Sequence, residues 1–467
     1  MRLSSVVVAM VVLFCNTANA GTEPQPTFPG TYALRKDLEW CGPRPSHGGE
    51  FYPGLDDSQC AKVFPKVFDR EFVCPARHAQ SEGFTGVQTS VSNVEVDDTA
   101  FDRVLDPHYG IRAAVAVIHR ASNELGSVSM RFLGSAARQP YQPWSSSKLF
   151  AAYDAAARLR NGSDQQLGLR AIESRSGISL GDFATIITSY DVTRNLSSNA
   201  LGGYFHSVGQ HVVALRAAQE WIGAGGNSSF GGNYGAPLPS QLGFTFESQN
   251  STLPSQRVSV EPDPVPSPPL PNSMNALTMA EWMRRIVLAR EDQAMHVNFS
   301  DFPQYTHMPQ WPDSQHLLYG ALPRDSTFTV GLQAGSSDAS AGLQWGGASM
   351  STDIYLQQAI NATLGFSNMT TSAADMWRIF SKLGAGQSSS RGVSEITLNA
   401  YACLPVMNTT SGEPVPNRGL EFTISVYAPM PYTGHVNVPR TDTFAQLDML
   451  MTEAITNITA YLVREYY

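Results

Sequence analysis

The elements legible from residue 376 onward constrain this chain's fold most. Met376-Trp-Arg-Ile-Phe-Ser-Lys382, Ser394-Glu-Ile-Thr-Leu-Asn-Ala-Tyr-Ala-Cys403 and Leu420-Glu-Phe-Thr-Ile-Ser-Val-Tyr427 each read as a strand, being short, rich in β-branched and aromatic residues, and bounded by turn formers. Thr441 to Tyr467 reads as one long helix, with Phe444, Leu447, Met449, Leu450, Ala454, Ile455 and Ile458 on its apolar side. Near the other end, Arg112–His119 and Ser127–Leu133 read as two strands, and the turn Ala121–Gly126 between them predicts a hairpin. Asp97–Leu105 reads as a short amphipathic helix before them. The order helix, two strands, helical block, three strands, helix implies an α/β (α+β) fold. It has one antiparallel sheet of about five strands, drawn from both chain ends and flanked by helices, with an all-helical lobe inserted.

That lobe spans about residues 145–300. Its helical segments are Ser146–Arg160, closed by Asn161-Gly162, then Ser179–Ser189, Val212–Ile222 and the amphipathic Thr278–Arg290. A Pro-rich stretch, 253–272, reads as a surface loop or linker. Residues 301–370 read as an insertion, Pro/Trp/His-rich and then Gly/Ser-rich, with a helix near Asp353–Ala359.

Residues 1–20 have the form of a secretory signal: Arg2, an apolar run from Val6 to Phe14, and Ala18-Asn19-Ala20 as the cleavage site. The run is too short to span a bilayer, and no other span is found, so a secreted or extracellular protein is expected. Cys15 leaves with the signal, and Cys41, Cys60, Cys74 and Cys403 remain, an even number suited to two disulfides in an oxidising compartment. Their pairing is open, except that Cys403 is expected to tie the N-terminal segment to the main domain. Asparagines 161, 195, 227, 250, 298, 361, 368, 408 and 457 head Asn-x-Ser/Thr sequons, which marks a glycoprotein. Residues 21–95, rich in Pro, Gly and Cys, read as an irregular extension, and 96–467 as the main domain. The net charge of −9 and the absence of a basic patch with aromatics exclude nucleic acid as the expected partner. The ten histidines show no ligand spacing, so no metal and no cofactor are expected.

Lysine usage singles out two positions. Only five lysines occur, and after residue 66 only Lys148 and Lys382 remain. A buried lysine can lose its proton and serve as a base, whereas arginine stays charged. Lys148 lies three residues after Ser145 at the start of the expected helix, so both fall on one face. The helix N-terminus adds free N–H groups and partial positive charge suited to an oxyanion. Serine needs a nearby base to become a nucleophile. The plain alternative is a Ser-rich helix cap followed by a solvated lysine.

Three elements in order resemble the serine β-lactamase and penicillin-binding protein superfamily, and are most similar to class A β-lactamases. Ser145-Ser-Ser-Lys148 resembles its Ser-x-x-Lys. Ser189-Tyr-Asp191 resembles Ser-Asp-Asn. Lys382-Leu-Gly384-Ala-Gly386, with Arg391-Gly392 after it, resembles the Lys-Thr/Ser-Gly strand. Ser197-Ser-Asn199 also fits Ser-x-Asn literally. Asn195-Leu196 and Gly202-Gly203 favour Ser189, because the family often continues that way.

The resemblance implies a β-lactamase/transpeptidase-like fold and a Ser145 acyl-enzyme. Lys148 would accept the proton, Lys382 would hold a carboxylate, Ser189 would shuttle a proton to the leaving group, and Asp191 would orient Lys148 or the substrate amide. The amides of Ser145 and Ala385 would form the oxyanion hole. Gly384, Ala385 and Arg391 would contact substrate, with Arg391 on its carboxylate. The implied partner is a small-molecule or peptide substrate carrying a carboxylate. Three departures follow. Asp191 stands for Asn and Leu383 for Thr/Ser. The only trace of a Glu-x-x-Leu-Asn deacylating base is Glu247-Ser-Gln-Asn250, which lacks the Leu. Two readings stand: a secreted serine acyl-hydrolase or acyl-transferase acting on an amide or ester, and a catalytically inactive glycoprotein that keeps the scaffold for binding.

Overall fold

The apolar runs at the two ends of the chain meet in one sheet. The computed structural model describes residues 73–76, 82–122, 124–147, 172–173, 244–247, 257–260, 274–299, 311, 314, 378–388, 390–407, 414–431 and 440–466. The strands are β1 (Val96–Asp97), β2 (Arg112–Arg120), β3 (Val128–Ser135), β4 (Ile172–Glu173), β5 (Phe244–Glu247), β6 (Arg257–Val260), β7 (Arg378–Ser388), β8 (Val393–Met407) and β9 (Pro414–Pro431). The α-helices are α1 (Ala276–Val287), α2 (Ala289–Ala294) and α3 (Arg440–Tyr466).

Six strands form the main sheet in the order β1–β3–β2–β9–β8–β7. Five of them pair antiparallel. The two-residue β1 joins β3 in parallel, so the sheet is mixed and six-stranded rather than antiparallel with about five strands. The expected β2–β3 hairpin forms. β7 runs further than its sequence suggests, pairing with β8 through Gly384-Ala-Gly386 as far as Ser388↔Val393. Glycine within a strand often marks a close approach by another backbone.

Strand alternation gives the sheet two unlike faces. One carries Val115, Leu383, Ile396, Leu398, Phe422, Ile424 and Val426, all in one buried cluster with α3. The helix meets it with Leu447, Leu450, Met451, Ala454, Ile455, Ile458 and Leu462, spaced by three or four residues as a single helical stripe requires. Met449, read from the sequence as part of that stripe, is 71% exposed. It sits two residues from Leu447, about 200° round the helix, and Met451 takes the buried place.

The opposite face carries Lys382, Glu395, Thr397, Asn399, Tyr401, Glu421, Thr423 and Ser425, all buried. Helix α1 packs there, with the Thr423 hydroxyl donating to Ala280 O at 2.9 Å. Its sequence suggests a helix with one solvated side, yet all twelve residues are buried. Its charges pair with one another and with Asp292 of α2. Arg284 bonds Glu281 (2.7 and 2.9 Å) and Asp292 (2.8 Å), and Arg285 bonds Glu281 (2.8 Å). Alongside, Arg120 grips Glu421 with two bonds (2.5 and 2.6 Å) and Glu291 with one (2.7 Å), while Tyr401 donates to Glu421 at 2.9 Å. Burial pushes the Asp292 carboxyl up to about 6, against the opposing pull of Arg284.

Two other expectations are corrected. Residues 97–105 form the end of β1 and a series of turns, not a helix. Asp97 Oδ1 accepts from the Thr99 amide and hydroxyl, Asp98 Oδ1 from the Ala137 amide, and the Phe101 amide donates to Gly134 O. Such side-chain bonds compete with the helical ladder. The inserted region is also not all-helical, because β4, β5 and β6 form a three-stranded antiparallel sheet. Phe244-Thr-Phe-Glu247 and Arg257-Val-Ser-Val260 alternate apolar and polar residues, the two-residue period of a strand. β6 thus lies inside the stretch read as a Pro-rich loop. Of the helix expected at 146–160 only residues 146 and 147 are described, within a 3-10 turn, and the helices expected at 179–189, 212–222 and 353–359 lie outside the described residues.

Cys74 and Cys403 form a disulfide, the expected tie between the N-terminal segment and the sheet. Cys41 and Cys60 lie outside the described residues. No helix among the described residues is long and apolar enough to cross a membrane.

Candidate active site

The segment leading to Ser145 is pinned at several points. Tyr141 forms a β-bridge with Met274 just before α1. Its hydroxyl lies 3.0 Å from Ser425 Oγ, and its ring stacks on Tyr427 with centroids 4.7 Å apart. Burial pushes the Tyr141 hydroxyl well above the usual phenol range. From there the chain enters a 3-10 turn, Trp144–Ser147. Ser145 therefore lies within this turn, whereas the sequence suggests the cap of an α-helix.

The turn sits directly on β7. A Cβ placed on Gly384 would lie 2.6 Å from Pro143 O, 2.7 Å from Thr397 Oγ1 and 2.8 Å from the Ser146 amide. A Cβ on Gly386 would lie 2.3–2.5 Å from the Trp144 ring. Both distances are too short for any side chain, so the two glycines are what allow the turn to seat. Lys382, Gly384 and Gly386 alternate onto this face, while Leu383 and Ala385 face α3, Leu383 within the buried cluster. The side chain of Leu383 thus contributes to the core, not to the face that carries Ser145.

Neighbouring serines have different surroundings. Ser146 is fully buried, and its hydroxyl donates to Pro143 O at 2.5 Å, with Thr397 Oγ1 3.2 Å away. Thr397 Oγ1 is also 3.0 Å from Pro143 O and 3.2 Å from Gly384 O, joining turn to sheet. Ser145 is 8% exposed, and among the described residues no hydrogen bond involves its side chain. The Ser146 hydroxyl thus ties the turn to the sheet, and among the described residues that of Ser145 does not.

Lys382 is wholly buried, and its ammonium donates to Leu383 O at 3.2 Å. Opposite it on β8 is Asn399, also wholly buried, and among the described residues neither of its amide atoms has a hydrogen-bond partner.

Arg391 lies just after β7, before β8 begins. It bonds Glu395 with two nitrogens (2.6 and 2.5 Å) and Gln142 Oε1 with one (2.6 Å). Glu395 also accepts from Trp144 Nε1 (2.7 Å) and the Tyr427 hydroxyl (2.8 Å). Tyr427, with Arg112 stacked over its ring at 4.8 Å, has its hydroxyl pushed well above the usual phenol range by burial and by the Glu395 charge. The structure thus brings Ser145, Lys382, Gly384, Ala385 and Arg391 to one corner of the sheet. Lys148, Ser189 and Asp191 lie outside the described residues. Glu247, the nearest match to a deacylating base, lies at the end of β5, paired with Ile172 and Arg257.

Sequence reasoning missed Trp144, Glu395, Thr397 and Tyr427. The signal was present: Glu395, Thr397, Asn399 and Tyr401 occupy every second position of a strand otherwise filled by Ile, Leu and Ala. A polar series at that period lies on one face of the sheet.

No protein-family model matches the chain, and no curated protein matches its sequence. Among solved structures, a class A β-lactamase described as the last common ancestor of Gram-negative bacteria is similar over 78% of this chain and 98% of its own, at 14% identity and a TM-score of 0.31. An ancestral class A β-lactamase is similar over 74% of this chain and 96% of its own, at 15% identity and a TM-score of 0.28.

Proposed function

We propose that this chain is a secreted serine acyl-hydrolase or acyl-transferase whose Ser145 forms an acyl-enzyme on an amide or ester substrate carrying a carboxylate. One observation carries the reading: the Ser145 turn packs on the Lys382-Leu-Gly-Ala-Gly386 strand so closely that neither Gly384 nor Gly386 tolerates a Cβ. Three sequence elements that resemble a serine β-lactamase site then have two of their members side by side. Ser145 attacks the carbonyl carbon, and its proton passes to Lys148. The oxyanion is held by backbone amides of Ser145 and Ala385. Lys382 supplies positive charge for the substrate carboxylate, Ser189 relays a proton to the leaving group, and Asp191 orients Lys148 or the substrate amide. Water or another acceptor then attacks the acyl-enzyme and regenerates Ser145. Without a Glu-x-x-Leu-Asn base, this second step is the slow one.

Complete burial of Lys382, with its ammonium on Leu383 O, favours a second reading: an inactive glycoprotein that keeps the scaffold for binding.

The test is covalent labelling. The purified mature chain is treated with a fluorescent penicillin and, separately, with a fluorophosphonate, and adducts are mapped by peptide mass spectrometry. A persistent adduct on Ser145, lost in Ser145→Ala and Lys148→Ala but kept in Ser146→Ala, supports the acyl-enzyme. Absence of labelling by both probes in folded protein selects the binding scaffold.

A further inference from the structure

We infer that Glu395 is a positioning residue for the turn that bears Ser145, acting through the Trp144 indole and through Arg391. This inference rests on the reading of Ser145 as nucleophile. Trp144 has φ +50°, a left-handed backbone conformation that a bulky side chain rarely adopts. Such a conformation persists only where the surroundings over-determine it. Two contacts fix the indole. Its ring packs on Gly386, where not even a methyl would fit, and its Nε1 donates to Glu395 Oε2 at 2.7 Å. The residue after this constrained one is Ser145, so the indole's placement dictates where the Ser145 hydroxyl points.

Glu395 is suited to hold it. The carboxylate is fully buried and accepts four hydrogen bonds: two from Arg391, one from Trp144 and one from Tyr427. Charge-assisted bonds of this kind are short and strongly directional. Arg391 also reaches Gln142, so the chain is tethered immediately before Pro143 as well as at Trp144. The turn is therefore clamped on its entry side by one ion pair. Arg391, which resemblance assigns to the substrate carboxylate, here has two nitrogens on Glu395, and its task in this arrangement is to fix that carboxylate.

The test uses the full mature chain with Glu395→Gln and Trp144→Phe, singly and together. The probe is a fluorophosphonate, which has no carboxylate, so any loss cannot come from lost carboxylate recognition. Both single variants are expected to stay folded with a lowered thermal midpoint, because each leaves a buried partner of the removed group unsatisfied, and, assayed below that midpoint, to label Ser145 more slowly, by about 10- to 100-fold, because small misplacement of a reacting group has effects of that size. The double variant is expected to be no slower than the slower single one, since both remove the same link. In NMR, the indole N–H signal that disappears in Trp144→Phe is expected to exchange faster with solvent in Glu395→Gln. Labelling at the wild-type rate in both variants, or unchanged indole exchange in Glu395→Gln, overturns the inference. If Glu395→Gln does not fold, Trp144→Phe decides alone, because it leaves every buried charge paired. If wild-type Ser145 is not labelled at all, the nucleophile reading fails. The clamp is then judged by amide exchange at Ser145 and Ser146, where faster exchange in the variants supports it and unchanged exchange overturns it.

Discussion

The two faces of the main sheet are built on opposite rules. Toward α3 the strands present Val115, Leu398, Phe422, Ile424 and Val426, and the helix answers with leucines, isoleucines and a methionine. Toward α1 the same strands present Glu421, Thr423, Ser425, Asn399 and Lys382, equally buried. The apolar face is held by removal of area from water, which is non-directional and tolerant of local repacking. The polar face is held by specific donors and acceptors, each of which leaves a neighbour unsatisfied when removed. A sheet that commits this face of β8 and β9, with Lys382 of β7, to buried polar groups has a prepared, low-dielectric surface on which charge has large effects. The candidate site occupies one corner of that face.

The largest effect is expected where the contrast is sharpest. Glu421→Gln leaves Arg120 buried with its main partner removed, and is expected to lower the unfolding free energy by about 3–5 kcal/mol. Replacing Arg120, Glu291 and Glu421 together by apolar residues of similar volume is expected to recover most of that loss, measured by denaturant titration. On the apolar face, Ile424→Ala removes contacts without stranding a charge, and is expected to lower stability by about 2–5 kcal/mol, with no rescue by any single partner change. At the site, Gly386→Ala places a methyl inside the Trp144 ring position. It is expected to cost about 1–3 kcal/mol and to slow Ser145 labelling. Gly392→Ala, at φ +64° but with open space around its Cβ, is expected to cost about 1–2 kcal/mol with unchanged labelling.

A pH experiment sharpens the comparison further. The Asp292 carboxyl is pushed up to about 6 in the folded state, above its ordinary 3.8, so the folded state binds this proton more tightly than the unfolded chain does. Its contribution favours folding below about pH 4 and is lost as the pH rises through 6. Carbonyl NMR is expected to show Asp292 titrating near 6, and Asp292→Asn to flatten the stability profile between pH 4 and 6. The smallest effect belongs to Met449→Lys on the outer side of α3, expected to stay within about 0.5 kcal/mol in thermal melts.

The apolar face was legible in the sequence because hydrophobic periodicity records it directly. The strands of both chain ends, their hairpin and the terminal helix follow from that periodicity, and strand ends moved by only a few residues, except that glycines extended β7 and β9 begins at Pro414 rather than Leu420. The error at Met449 shows the limit: an apolar residue was counted by type, although its angular position lay outside the stripe. The polar face misled. Thr278–Arg290 looked like a helix with a solvated side because Glu281, Arg284 and Arg285 are charged, yet their partners Asp292 and Glu281 travel with them into the interior. At the candidate site, motif spacing points to Ser145, Lys382 and Arg391, but it is silent on Glu395 and Trp144. Those two meet across 251 positions of sequence through a single hydrogen bond, and no local pattern encodes such a contact. Likewise, the turn at 97–105 was set by bonds to Gly134 and Ala137 that a helical pattern does not reveal.

The Cys74–Cys403 bridge joins residues 329 positions apart, and so makes a closed ring of most of the chain. Both β2 and β8 belong to that ring, and β9, which pairs with each of them, follows just outside it. A single protease cut anywhere between the two cysteines therefore opens the ring without producing separate pieces. The nicked protein should migrate as one species without reductant and as two with it. The long segment between β3 and β7 can in this way suffer scission while the two ends of the chain that build the sheet remain covalently joined.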